Sequence, residues 1–176
     1  MSRSLDPGLA FSWRILKYRW LIAIAAAVLA ADQLTKAWIR SHLPFGAYGE
    51  QAGAIPVVRG FLYIVHVGNT GAAWSIFSGR SVFLAALAAA TLVAIFFGRR
   101  ALGLASTRSQ VYFGLLCGGI AGNLVDRLMR GHVTDFLDFH FGAYVYPTFN
   151  VADSAICVGV AFYVLSSFGA PKRAVQ

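Results

Sequence analysis

Four long apolar runs alternate with short polar stretches along the chain, at about residues 20–39, 81–98, 110–128 and 149–168. Each is close to the ~20 residues that a helix needs to cross a hydrocarbon core about 30 Å thick. Pro44 and Gly46 end the first run, and a Gly/Ala-rich loop follows to Ile55. Residues 61–67 are β-branched and aromatic, which reads as a strand, and Gly68, Asn69 and Gly71 break it. Phe61, Tyr63 and Val65 share one face at period two. The opposite face, Leu62, Ile64 and His66, is also mostly apolar, so the strand is expected to pack on protein or rest at the lipid interface. The third run carries Gly114, Gly118, Gly119 and Gly122, a density that lets helix backbones approach closely. The stretch 136–146 reads as an aromatic-rich loop. The pattern predicts an all-α membrane bundle of four transmembrane helices with a small extracytoplasmic β segment at about 55–77. Residues 1–176 form one domain in this reading.

Composition sharpens the class. Of 176 residues, 58% are hydrophobic and 12% charged, and mean hydropathy is +0.65, which points to an integral membrane protein. The first run resembles a secretory leader, with a basic lead and small residues near Ala30 and Ala31. An uncleaved span is expected instead, because equally long runs follow and Asp32, Gln33, Thr35 and Lys36 lie in phase with the helix. The net charge of +8 does not indicate nucleic acid, since basic residues show no interleaving with aromatics and no zinc-finger or helix-turn-helix pattern. Four spans put both termini on one side, which then holds nine of the 15 Lys and Arg residues, against six on the other. By the positive-inside rule that side is cytoplasmic, and the β segment lies at the outer face of the membrane. Cys117 and Cys157 sit inside apolar runs and suggest neither a disulfide framework nor a metal site.

The chemistry concentrates between Gly118 and Asp153. This stretch holds four of the seven acidic residues, Asp126, Asp135, Asp138 and Asp153, with Asn123, Asn150, Arg127 and Arg130. Ionisable groups beside a bilayer core are costly and are functional candidates by default. Asp135 and Asp153 lie 18 residues apart. On one straight helix that is about 27 Å. Gly131, Gly142 and Pro147 interrupt the segment, so a hairpin between the third and fourth helices is expected to bring the two carboxylates together. Two carboxyls in contact share one proton, which supplies an acid and a base without metal or cofactor. Plainer roles exist for each: Asp153 suits a helix cap, and Asp126-Arg127 an interfacial ion pair. Among other activities, a small proton-coupled transporter would want polar residues through several spans, and 81–98 has only Ser81 and Thr91. A metal hydrolase built on Asp135, Asp138, His132 and His140 lacks an H-E-x-x-H motif. A serine mechanism lacks a G-x-S-x-G elbow. A purely structural scaffold would show no turnover.

Read together, these blocks resemble the prolipoprotein signal peptidases, also called signal peptidase II. The resemblance rests on Gly118-Gly119, Gly122-Asn123, Asp126-Arg127, Gly131 with Val133, Asp135-Phe136, Phe149-Asn150 and Ala152-Asp153. Asp32-Gln33 with Thr35-Lys36, and Asn69-Thr70-Gly71-Ala72-Ala73, agree with it. It implies an intramembrane aspartyl endopeptidase that removes the signal peptide of diacylglyceryl-modified prolipoproteins just before the lipidated cysteine. Asp135 and Asp153 match the catalytic aspartates. Asn69, Gly71, Asn123, Asp126, Arg127 and Asn150 match substrate-binding or site-support positions, as do Asp32 and Lys36, whose i,i+4 spacing reads as an ion pair. The expected partners are lipid-modified prolipoproteins and membrane lipids, with no nucleic acid and a monomeric enzyme. Trp74 stands where the pattern favours Phe, and the stretch 46–54 runs long.

Overall fold

Glycine spacing decides how the helices pack. In the computed structural model, which describes residues 17–168, four helices form a bundle: α1 (Arg19–His42), α2 (Ser81–Gly98), α3 (Thr107–Arg130) and α4 (Val151–Phe168). The leading Arg3 and Arg14 and the closing Gly169, Pro171, Lys172 and Arg173 lie outside the described residues. Helix α3 is central and packs on the other three. A Cβ on Gly118 would stand 2.7 Å from the Ala25 carbonyl oxygen of α1. One on Gly119 would overlap the Ala152 carbonyl oxygen of α4. Backbones this close are open only to residues without a side chain.

Among the described residues, α1, α2 and α4 are long and apolar enough to cross a membrane. Helix α3 is not among them. It is as long as α1, but it carries Gln110, Asn123, Asp126 and Arg127. Those groups find partners on neighbouring elements, so an interior helix tolerates what a lipid-facing one does not. Helix α2 shows the converse: its hydropathy averages 2.3, and Val82, Phe83, Leu87, Phe96 and Phe97 are all exposed.

The β segment is larger than the hydropathy pattern predicts. Strands β1 (Ile55–Val58), β2 (Leu62–Asn69), β3 (Val133–Phe141) and β4 (Tyr144–Val145) form one antiparallel sheet in that order. The stretch 136–146, expected as a loop, is therefore mostly strand. Nor does β2 alternate strictly. Ile64 pairs with Leu137 and Val67 with Asp135, leaving Val65 and His66 together opposite Phe136. This bulge buries both residues, so the two-faced reading of the strand fails at that point. His66 also bridges to Ala47, and its Nδ1–H donates to the Leu43 carbonyl at 2.9 Å, pinning the sheet to the end of α1.

Gly131 ends α3 in the left-handed conformation at φ 75°, with its N–H on the Arg127 carbonyl. The chain leaves directly into β3. On the far edge of β3, Phe149 pairs with Leu137: the Phe149 carbonyl accepts from Phe136 and Leu137 at 3.1 and 2.9 Å. That short bridge fixes where α4 begins.

Candidate active site

The sequence-level expectation places two helix ends side by side. The actual device is different. Asp135 lies in β3, and Asp153 lies in the first turn of α4. The Phe149–Leu137 bridge brings Asn150, and with it α4, against the strand that carries Asp135. Both aspartates line one cleft of about 780 Å³, with Asn69, Gly71, Trp74, Arg127 and Tyr146 also on its walls.

Asn150 caps α4. Its Oδ1 accepts from the Asp153 N–H at 3.0 Å, and the Asp153 Oδ2 accepts in return from the Asn150 N–H at 3.2 Å. This is a reciprocal capping box, so the plain role of Asp153 is real and coexists with its place in the cleft. Because its oxygen is committed to that backbone N–H, the Asn150 amide must turn its NH2 group the other way. That group donates to Asp135 Oδ1 at 2.7 Å and to Asn123 Oδ1 at 3.3 Å.

The same logic orients the other two amides. Asn69 Oδ1 accepts from the Gly71 N–H at 2.9 Å, so its NH2 faces Asp135 Oδ2, at 3.0 Å. Asn123 Oδ1 accepts from Lys36 Nζ at 2.9 Å. An ammonium has only hydrogens to offer, so the amide NH2 is directed to Asp153 Oδ1, at 2.7 Å. All four carboxylate oxygens therefore accept one N–H each. Each keeps a further lone pair for water or for a proton.

Asp135 is 1% exposed. Burial, and next the charge of Asp153, push its carboxyl up to about 7, against the hydrogen bonds from Asn69 and Asn150 and the charge of Lys36. A carboxyl held there exchanges its proton near neutrality, as an acid–base group must.

Behind the cleft lies a closed ion cluster. Lys36 reaches Asp32 at 2.9 Å and Asp126 at 3.0 Å, and all three side chains are fully buried. Asp32 Oδ1 also accepts from the Ala152 N–H of α4 at 3.0 Å, and Asp126 Oδ2 from the Thr134 N–H of β3 at 3.1 Å. The cluster thus ties α1, α3, β3 and α4 together. Asp32, Lys36 and Asp126 are fully buried and do not line the cleft. The expected Asp126–Arg127 pair does not form: Asp126 pairs with Lys36, with Arg130 at 3.2 Å and with Arg40 at 3.8 Å. Arg127 instead donates to the Gly71 carbonyl at 2.9 Å, holding the 69–74 segment beside the cleft. The signal for Arg130 is its i+4 spacing from Asp126, whereas Arg40 stands i+4 from the like-charged Lys36 and carried none. Thr134 carried no such signal.

Asp138 takes no part in the cleft. It bonds His140 Nε2 at 2.7 Å on the other face of β3. Among the described residues, no three His, Cys, Asp or Glu side chains gather to hold a metal ion.

One family model, described as signal peptidase (SPase) II, matches residues 24–169. A lipoprotein signal peptidase of Oleidesulfovibrio alaskensis is 42% identical over 156 residues, covering 82% of this chain and 92% of that protein. One of Bacillus velezensis is 39% identical over 154 residues, covering 87% and 97%. A bacterial membrane enzyme solved by the in meso method at 2.3 Å is similar in fold, with a TM-score of 0.76 and 31% identity over 89% of this chain and 94% of that one.

Proposed function

The chain belongs to the signal peptidase II family, and on that premise we propose that it is an aspartyl endopeptidase acting on bacterial prolipoproteins that already carry diacylglycerol. It removes the signal peptide by cutting the amide before the lipidated cysteine. Asp135 and Asp153 are the catalytic pair. The observation that carries this reading is their shared clamp: one residue, Asn150, bonds Asp135 through its side chain and Asp153 through its backbone, at the wall of one cleft.

The chemistry uses solvent alone. The ionised carboxylate takes a proton from water as the water oxygen attacks the scissile carbonyl carbon. The protonated carboxyl gives its proton to the carbonyl oxygen, forming a neutral tetrahedral diol. The proton taken from water then passes to the leaving nitrogen, the C–N bond breaks, and one diol hydroxyl returns its proton to the carboxylate that gave it, which resets the pair. The signal peptide leaves with a new carboxyl end, and the lipoprotein with a free amine on its cysteine. No metal or cofactor is needed for this cycle.

All four helices span the inner membrane as one peptidase domain, α3 being shielded by the other three. The termini are cytoplasmic and the sheet and cleft lie at the outer face, in keeping with the nine-to-six distribution of basic residues. There the cleavage point of a lipid-anchored peptide arrives laterally from the bilayer, and the enzyme acts as a monomer. The test is incubation of purified protein with a prolipoprotein before and after diacylglyceryl transfer. Only the lipidated form is cut, and Asp135→Asn and Asp153→Asn each lower turnover at least about a hundredfold while the protein stays folded. Near-normal turnover by either variant removes the pair from the mechanism.

A further inference from the structure

The two carboxyls of the cleft are not equivalent in what stands behind them. Asp135 receives two neutral amides, Asn69 and Asn150, whose oxygens are both bound to backbone N–H groups. Asp153 receives Asn123, whose oxygen is bound to the Lys36 ammonium. An ammonium on the carbonyl end of an amide polarises it and strengthens the N–H donor at the other end. A donor strengthened by a cation favours the charged form of the carboxylate it faces. We propose that Lys36, acting through Asn123, holds Asp153 as the ionised base of the pair and leaves the shared proton on Asp135. This rests on the reading of Asp135 and Asp153 as the catalytic pair and adds a direction to it.

The remaining charges around Asp153 do not reverse the assignment. Arg127 of α3 lines the same cleft as both carboxyls, and its guanidinium is bound to the Gly71 carbonyl rather than to either of them. Asp32 of α1 has its carboxylate matched by Lys36 at 2.9 Å and by the Ala152 N–H at 3.0 Å. Asp126 of α3 is covered by Lys36, Arg130 and Arg40. Asp135 of β3 is the partner itself, and an ionised Asp153 is one of the two causes that keep the Asp135 proton in place to about pH 7. Lys36 is a positioning residue here. It is fully buried, three atoms of an amide away from Asp153, and touches no substrate.

The experiment separates this role from a merely structural one. Lys36→Met combined with Asp32→Asn removes the ammonium and one of its two carboxylates together, so that no unmatched pair is left between them. Turnover of a diacylglyceryl prolipoprotein is then followed against pH. With the ammonium gone the base is harder to ionise, and the acid limb of kcat/KM moves upward by about one pH unit. A packing role alone lowers the whole profile and leaves its midpoint in place, and that result in a folded protein overturns the proposal. Should the double variant not fold, carboxyl ¹³C chemical shifts of the unsubstituted full-length protein decide. Resonances are assigned with Asp135→Asn and Asp153→Asn. Asp153 ionises at lower pH than Asp135, and in Asn123→Ala, which keeps the ion cluster, it ionises at higher pH than before. The reverse order, or an Asp153 indifferent to Asn123→Ala, overturns the proposal. These outcomes are distinct from failure of the catalytic reading, which appears as turnover by either single Asn variant.

Discussion

At the scale of single residues, the polar positions of the cleft were legible because each is expensive in its apolar surroundings. Asp135, Asp153, Asn123 and Asn150 could be picked out as a set, while Asn69 read as a strand breaker and joined them only through the family resemblance. Their division of labour could not, since it depends on which way three amides point. That is settled by the Gly71 N–H, the Asp153 N–H and the Lys36 ammonium, each on a different element. Asp135 gives a stability prediction with a definite sign. Its folded-state carboxyl titrates at about 7, above the ordinary carboxylate value of 3.8. The folded protein therefore holds that proton more tightly than the unfolded chain does. The contribution is complete below about pH 4 and is lost progressively as pH rises to about 7. Thermal unfolding in detergent should show stability falling across that window, and Asp135→Asn should flatten the fall and be the more stable protein above pH 7. A wild-type curve that rises between pH 4 and 7 and an unchanged slope in the variant would contradict this. Asp138→Asn makes the contrast. It is as buried as Asp135, but it faces His140 rather than the cleft, so kcat/KM should stay within about threefold of wild type.

Among the elements, α2 and α3 mark the two ends of what hydropathy can tell. The apolar circumference of α2 declares a lipid-facing helix. The sequence of α3 shows glycines at Gly114, Gly118 and Gly122 on the side of α1, and Gly119 turned to α4, but a hydropathy window sees only that the helix is too polar. Strand β3 was missed for a related reason. Thr134, Asp135, Phe136 and Asp138 are all buried, so neither face of VTDFLDFHF is solvent-facing and no alternation survives. One face looks into the cleft and the other into the ion cluster, and both need polar groups. The packing of α3 sets a clear expectation. Gly119→Ala puts a methyl group into the Ala152 backbone, one residue from Asp153, where nothing flexible can yield. Overpacking of this kind costs about 1–3 kcal/mol. The shift of α4 should also loosen the bond between Asn123 and Asp153, so turnover should fall more than the midpoint of unfolding suggests. Gly142→Ala, at a turn where a Cβ meets nothing within 4 Å, is strained only by its φ of 64° and should leave turnover close to wild type.

On the scale of the whole molecule, the cleft runs from the sheet onto the side of α4. Its upper wall is the sheet edge and the segment that carries Trp74, whose ring meets Tyr146 at 6.2 Å. Its lower wall runs down α4 through Asp153, Ser154, Ile156 and Cys157, one full turn along the helix. Cys157 is exposed and lies on a helix long and apolar enough to cross a membrane. Under the proposed function, a substrate whose cleavage point is tethered to two acyl chains would set its peptide under the sheet and its chains along α4. Cys157 supplies a small side chain on this wall. Cys157→Trp should fill the wall one turn below Asp153. KM for a diacylglyceryl prolipoprotein should rise roughly fivefold to twentyfold, a loss of one to two kcal/mol of apolar contact, while kcat stays within about threefold. Cys157→Ser keeps the space and should leave both constants near wild type. If Cys157→Trp lowers kcat and spares KM, the bulk disturbs the catalytic end of α4 instead, and the acyl chains take a different path from the bilayer to the cleft.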